Sequence, residues 1–262
     1  MYSFEYQRPA ALADALAAAG GDAKFLAGGQ SLVQALKLRL ANVPQLVDIG
    51  SLGELRGISV TADAVTVGAM TRHAEVAQSR ELAAAIPALA DLAGGIGDQM
   101  VRNMGTLGGS LAHADPAACY PAAVLGLGAT IRTDRRSIAA DDFFLGLYET
   151  ALEPGELIVS VSFPRVERAG YVKFKHPASR FAVVGVFVAK GRDGVRVAVT
   201  GAQSKVFRAT AIEQALSAKF TPEAAAAVEI PATDMNADLH ASADYRAALV
   251  SVVASRAIAK AL

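Results

Sequence analysis

Between Gly94 and Ser110 the chain places six glycines in seventeen residues, and no other feature restricts the possible folds as strongly. Glycine loses the most backbone entropy on ordering and brings no side chain to a core, so this density predicts neither regular helix nor regular strand. It predicts a loop. A second glycine pair, Gly28-Gly29, stands between Lys24-Phe25-Leu26-Ala27, which reads as a strand, and a helix in which Leu32, Val33, Leu36 and Leu40 recur at roughly helical spacing. Asn42-Val43-Pro44 stops that helix, and Gln45 to Ile49 is a compact apolar strand. Strand, glycine turn, helix and strand permit a right-handed βαβ crossover with parallel strands.

The rest of the chain surrounds these two glycine segments. Ala10 to Ala19 reads as a helix ended by Gly20-Gly21, and Ile58 to Val60 with Val65 to Val67 as a hairpin turned at Asp63. Arg72 to Ala84 and Pro87 to Ala93 read as helices. From Tyr171 a strand runs through Phe174, a hairpin joins Phe181–Lys190 to Val195–Thr200, and Ala-rich helices continue to Leu262. Pro164 to Gly170 is the expected seam between domains.

Of the 262 residues 53% are hydrophobic and 19% charged, enough apolar content to exclude a disordered polymer. Lys+Arg 25 balance Asp+Glu 25, which leaves no global charge to attract nucleic acid or anionic lipid. A single cysteine, Cys119, excludes an internal disulfide and any self-contained Cys-ligated iron-sulfur cluster or structural zinc site. The start of the chain has neither a basic nor an apolar leader segment, and the apolar stretch between Asp115 and Arg132 is short of the roughly 20 residues of a membrane helix. A cytoplasmic protein is therefore expected, with no membrane and no nucleic-acid partner.

Ala27-Gly28-Gly29-Gln30-Ser31-Leu32 offers orphan N–H groups at a helix start, a favourable helix dipole and Ser31 as a candidate N-cap. Both an anion cradle and a plain tight turn satisfy that pattern. The Walker lysine and the G-x-G-x-x-G fingerprint are absent, which disfavours a P-loop and an ordinary Rossmann domain. Thr106-Leu107-Gly108-Gly109-Ser110, about 80 residues further on, offers a second set of small residues and hydroxyls. Two such loops point to a clamp on one molecule with two phosphates, a dinucleotide. Arg102 pins the glycine segment through carbonyls or meets a phosphate. His73, His113, His176 and His240 show no metal spacing, and no Ser lies in G-x-S-x-G, so no metal and no catalytic residue is nominated.

The runs Leu26 to Leu32, Val101 to Ala118, and more loosely Gly155-Glu156-Leu157-Ile158 and Tyr171-Val172-Lys173-Phe174-Lys175 carry a resemblance across nearly the whole chain. The sequence resembles the FAD-binding, medium subunit of the molybdenum hydroxylases, the xanthine dehydrogenase and carbon monoxide dehydrogenase type. The resemblance implies an α+β fold: a two-lobed FAD-binding domain of the vanillyl-alcohol oxidase (PCMH) type over 1–168, with lobes about 1–55 and 56–168. A small C-terminal α+β domain with antiparallel strands and helices, of the carbon monoxide dehydrogenase flavoprotein type, would occupy 169–262.

It also implies the cofactor, FAD, and its contacts. Leu26, Ala27, Gly28, Gly29, Gln30, Ser31 and Leu32 with Thr106, Leu107, Gly108, Gly109 and Ser110 would wrap the diphosphate and ribityl portion. Arg102, Asp115, Ile158 and Lys175 complete the implied set, Lys175 as a cation near the flavin or else a surface lysine. The family carries an acidic residue where this chain has Cys119. A thiol is the poorer acceptor, so Asp115 or water supplies that contact, or FAD is held less firmly. Asp98 stands where the family carries a His. The implied function is an electron-transfer subunit, not itself oxidising the organic substrate. It would receive electrons from two [2Fe-2S] clusters on a small partner, fed by a large molybdopterin partner, for delivery to NAD, quinone or another acceptor. A heterotrimer or a dimer of heterotrimers is expected. The rival readings are a stand-alone flavin oxidoreductase and a cofactor-less assembly subunit.

Overall fold

The computed structural model describes residues 1–261. The N-terminal unit is a three-stranded sheet of β1 (Glu5–Gln7), β2 (Lys24–Leu26) and β3 (Gln45–Asp48) in the order β1-β3-β2, with α1 (Leu12–Ala18) and α2 (Leu32–Lys37) in the crossovers. Both pairings are parallel, as the strand, glycine turn, helix and strand pattern predicts. Val47, Ile49 and Ala15 form its small core with Leu52, Leu55, Met70 and Leu157. The helix predicted to reach Leu40 ends at Lys37, because Arg39 takes a left-handed backbone with φ 58°.

The second unit is built on a five-stranded antiparallel sheet: β4 (Ile58–Val60), β5 (Ala64–Gly68), β6 (Thr130–Thr133), β7 (Ser137–Ala139) and β10 (Ile158–Pro164), ordered β4-β5-β10-β6-β7. A small ribbon, β8 (Phe144–Gly146) with β9 (Glu149–Thr150), precedes β10 and follows the short helix α9 (Ala140–Phe143). Between β5 and β6 run α3 (His73–Gln78), α4 (Arg80–Ala85), α5 (Pro87–Gly94), α6 (Gln99–Met104), α7 (Leu107–His113) and α8 (Tyr120–Gly126). The single helix expected over Arg72 to Ala84 is split at Ser79, whose hydroxyl accepts from Leu82 N and starts α4.

The glycine segment departs from expectation more instructively, since it contains the whole of α6 and the start of α7. Asp98 Oδ1 accepts from Val101 N at 2.9 Å and Thr106 Oγ1 from Gly109 N at 3.2 Å, so each short helix has a side-chain N-cap. Capping and tertiary contact outweigh low propensity here. Asp98, met first as a departure from a family pattern, is a helix cap. The apolar stretch after Asp115 becomes α8, buried at every position, and no helix of the described residues is long and apolar enough to cross a membrane.

The third unit is the antiparallel sheet of β11 (Arg168–Lys175), β12 (Ala182–Gly191), β13 (Gly194–Thr200) and β14 (Phe207–Arg208), covered by α10 (Thr210–Ala218), α11 (Pro222–Ala226) and α12 (Ala243–Ala261). Eight successive residues of β12, Ala182 to Ala189, are buried, which requires cover on both faces. Val184, Val186 and Val188 pack with Val250, Val253 and Ile258 of α12, whereas Phe187 and Ala189 join the core of the second unit with Tyr120 and Leu125. The third sheet is therefore a wall shared by two cores.

Candidate cofactor-binding site

A cleft of about 550 Å³ opens where the three units meet, lined mainly by apolar groups with a few polar ones. That is the size and character of a small-molecule site. The two glycine loops form part of its wall together. A Cβ on Gly28 would overlap the Met104 carbonyl oxygen, one on Gly105 would lie 2.5 Å from His73 Nε2, and one on Gly109 would lie 3.4 Å from Ala27 Cβ. These glycines permit the two loops and His73 to pack against one another.

The two loops differ in where their backbone donors go. Backbone N–H groups of Gly28, Gly29, Gln30, Ser31 and Leu32 meet no acceptor among the described residues, five successive donors left for something else. In the second loop Leu107 N donates to Thr71 O, Gly108 N to Ala69 O, and both Gly109 N and Ser110 N to Thr106. The clamp expected from two loops is thus corrected: the second loop's backbone donors close its own helix and anchor it to the segment after β5, so free amides come from the first loop alone, while Thr106, Gly108, Gly109 and Ser110 line the cleft. Ser31 occupies the N-cap position of α2 without making the expected cap hydrogen bond.

Ala27, Gly28, Gly29, Gln30, Ser31, Leu32, Thr106, Gly108, Gly109, Ser110, Asp115, Cys119 and Ile158 all line the cleft. Four nominated residues do not. Leu26 faces a neighbouring smaller cavity, and Leu107 is buried in the core of the second unit. Arg102 donates to Ile96 O at 2.9 Å and to Gln99 Oε1 at 3.1 Å, so it pins the glycine segment from within. Lys175 is exposed, because the β11–β12 register shifts between Phe174 and Lys175 and this bulge ends the regular alternation.

Lys173 is the lysine at the cleft wall. Its Nζ donates to Arg180 O at 2.9 Å and to Cys119 Sγ at 3.3 Å. Residues Asp115 to Cys119 are held by the third sheet: Gly201 N donates to Pro116 O at 2.7 Å and Thr200 Oγ1 lies 2.7 Å from Ala118 O. A hydroxyl has one proton, and with Pro116 O served by Gly201 it is free to go to Ala118 O. The third unit thereby positions Cys119 and Asp115. Arg180 and Phe181, on the β11–β12 connection, add a guanidinium and an aromatic ring to the same wall, and no sequence signal singled them out.

His73 and Glu156 also line the cleft and went unnominated. His73 is 5% exposed, its Nδ1 has no partner among the described residues, and its ring lies 5.2 Å from that of Tyr120. Burial, with Arg102 nearby, pushes the imidazole down from 6.5 to about 4. Glu156 accepts from Arg136 Nε, Thr133 Oγ1 and Glu153 N, and the Arg136 bond above all holds it down from 4.5 to about 2. Arg136, in the turn between β6 and β7, contributes this ion pair from the surface to the buried Glu156 carboxylate.

Both shifts act in the same direction. A histidine kept neutral in the fold binds fewer protons than the unfolded chain between pH 6.5 and 4, so stability is lost as pH falls through that window; Glu156 removes more between about 4.5 and 2. His73 alone accounts for about 3 kcal/mol over its window. Melting temperature measured from pH 7 to 4.5 should decline more steeply in the parent protein than in His73→Gln, and equal slopes would refute the assignment.

The FAD binding domain in molybdopterin dehydrogenase family matches residues 2–166. The carbon monoxide dehydrogenase medium chain of Hydrogenophaga pseudoflava is 35% identical, the alignment covering 97% of this chain and 96% of that one. The nicotine 6-hydroxylase medium subunit of Paenarthrobacter nicotinovorans is 36% identical over 99% and 97%. Among solved structures, reconstituted CO dehydrogenase from Oligotropha carboxidovorans superimposes with a TM-score of 0.92 at 32% identity, covering 99% and 98%. Quinoline 2-oxidoreductase from Pseudomonas putida 86 gives 0.91 at 33%, covering 99% and 97%. Fold and cleft together define a flavin-nucleotide-binding oxidoreductase component with the two-domain α+β architecture of those structures. The chain belongs to the FAD-binding, medium subunits of the molybdenum hydroxylases, the xanthine dehydrogenase family. Its cofactor, FAD, fits the residues present: five unpaired backbone donors suit a diphosphate, and the apolar cleft suits a ring system.

Proposed function

We propose that this chain is the electron-transfer subunit of a cytoplasmic heterotrimer or dimer of heterotrimers. Its FAD would receive electrons from [2Fe-2S] clusters on a small partner, fed by a large molybdopterin partner that oxidises the substrate, and deliver them to NAD, quinone or another acceptor. Bound FAD supplies the redox chemistry. The chain's own part is to hold and orient it: the Gly28 to Leu32 amides grip the diphosphate, Ser110 and Asp115 complete the polar contacts, and Ile158 packs against the cofactor.

Lys173, at the cleft wall, is the stronger nominee for the cation beside the ring than Lys175. Cys119 supplies a surface in van der Waals contact and leaves hydrogen bonding to its neighbours. With one cysteine, and no cluster of three or more metal-ligating side chains among the described residues, the iron-sulfur centres belong on another chain. Relatives named as medium chains of larger enzymes support the same division. The boundary at residue 168 is part of this reading, supported by the family match ending at 166 and by the gap between β10 and β11.

The observation that carries the proposal is the row of five unpaired amides beside an apolar cleft. Purified protein reconstituted with FAD should show flavin absorbance at one equivalent per chain, and should copurify from its native host with a Cys-rich chain and a molybdenum-bearing chain. A colourless protein after reconstitution would overturn the cofactor contacts; a yellow one that oxidises an organic substrate unaided would overturn the division of labour.

A further inference from the structure

A second cavity, of about 280 Å³, abuts the cleft and shares Ala27, Gly28, Gly29, Met70 and Thr106 with it, but its other walls are different. Three arginines line it, Arg8, Arg56 and Arg72, against one carboxylate, Asp48. That carboxylate is already engaged: it accepts from the Tyr6 hydroxyl and from Gly50 N at 2.7 Å, and Arg8 Nε lies 3.6 Å away. Arg56 donates to Gly50 O at 2.9 Å, while its Nε is buried without any partner. Among the described residues neither Arg56 nor Arg72 has a carboxylate within ion-pair distance.

Three guanidinium groups around one cavity repel one another, with a single carboxylate that is already engaged, and an anion between them relieves that repulsion. We propose that this cavity binds a small oxyanion of the phosphate class, held by Arg8, Arg56 and Arg72. Guanidinium groups match the tetrahedral oxygens in charge and in fork geometry. The volume is below the range that encloses drug-sized ligands, which suits a free ion better than a nucleotide.

The position gives such an ion a structural consequence. Asp48, Gly50 and the Gly28-Gly29 loop belong to the first unit; Arg56, Arg72, Met104 and Thr106 belong to the second, where Arg72 bridges Thr106 through the backbone. A bound oxyanion would tie the two units together and support, from beside it, the loop whose amides face the cleft. The site takes an ion distinct from FAD and does not depend on where the electrons go.

The test is a titration of the FAD-loaded protein with inorganic phosphate at ionic strength held constant with chloride, read by calorimetry and by melting temperature while flavin absorbance is followed. Saturable binding and stabilisation are expected with flavin retained. Arg56→Gln and Arg8→Gln should each weaken phosphate about tenfold, whereas Arg192→Gln, whose side chain is 87% exposed, should not. Arg8 is itself 58% exposed, so its variant keeps the fold even if that of Arg56 does not. Absence of saturable binding, equal affinity in Arg8→Gln, or release of flavin as phosphate binds would each overturn the site, the last by making it part of the FAD pocket. Failure of the cofactor reading registers separately, as missing flavin absorbance before any phosphate is added.

Discussion

Gly28→Ala is expected to leave a protein that has lost most of its FAD. The added Cβ would overlap the Met104 carbonyl oxygen and lie 2.8 Å from Gly105 Cα, both backbone atoms that no rotamer change can move aside. The loops must separate, at an overpacking cost of about 1–3 kcal/mol. Separation shifts the row of N–H groups from Gly28 to Leu32, so FAD affinity should fall by about ten- to a hundredfold, the same free energy read at the ligand. Gly20→Ala is the matched control: nothing lies within 4 Å of its Cβ and its φ is not left-handed, so flavin content should equal that of the parent. The ratio of flavin to protein absorbance after gel filtration, followed by a fluorescence titration, decides the matter. Full flavin occupancy in Gly28→Ala would mean that the loops do not cooperate in binding.

That close approach was only half legible in the sequence. Glycine at 28, 105, 108 and 109 announces a backbone that comes near something, yet composition does not say what. Ligand was the natural expectation; in the structure His73, Ala69, Thr106 and Met104 are the neighbours. The parallel β2–β3 unit and the β12–β13 hairpin were readable because apolar spacing and turn residues agree. The helices α6 and α7 were not, because their caps lie beside glycines that argue for loop and their stability comes from contacts distant in sequence. A one-residue bulge separates Lys175 from the wall where Lys173 sits, and alternation alone gives no warning of it. His73 and Arg180 reach the cleft through tertiary packing, which no local pattern encodes.

The same dependence on distant contacts makes Arg246 a position outside the cleft where substitution should be costly. Arg246 is 4% exposed on α12, and its Nη1 donates to Val183 O at 2.7 Å and to Gly201 O at 2.9 Å while Nη2 meets Asp238 at 2.7 Å. Arg246→Met keeps the apolar stem and removes every donor, leaving two buried carbonyls unsatisfied. Each orphaned acceptor costs about 1–3 kcal/mol, whereas the half-exposed Asp238 adds little because water replaces its partner. A loss of about 3 kcal/mol, or roughly 6–12 °C in melting temperature, is the expected result. The effect should also reach the cofactor. Gly201 is the residue whose N–H holds Pro116 O, and Thr200 beside it holds Ala118 O, so relaxing this corner frees the Asp115 to Cys119 wall. Flavin affinity should therefore fall in Arg246→Met though the side chain is not among those lining the cleft. Unchanged flavin affinity in a destabilised Arg246→Met protein would show that the cleft is built by the first two units alone.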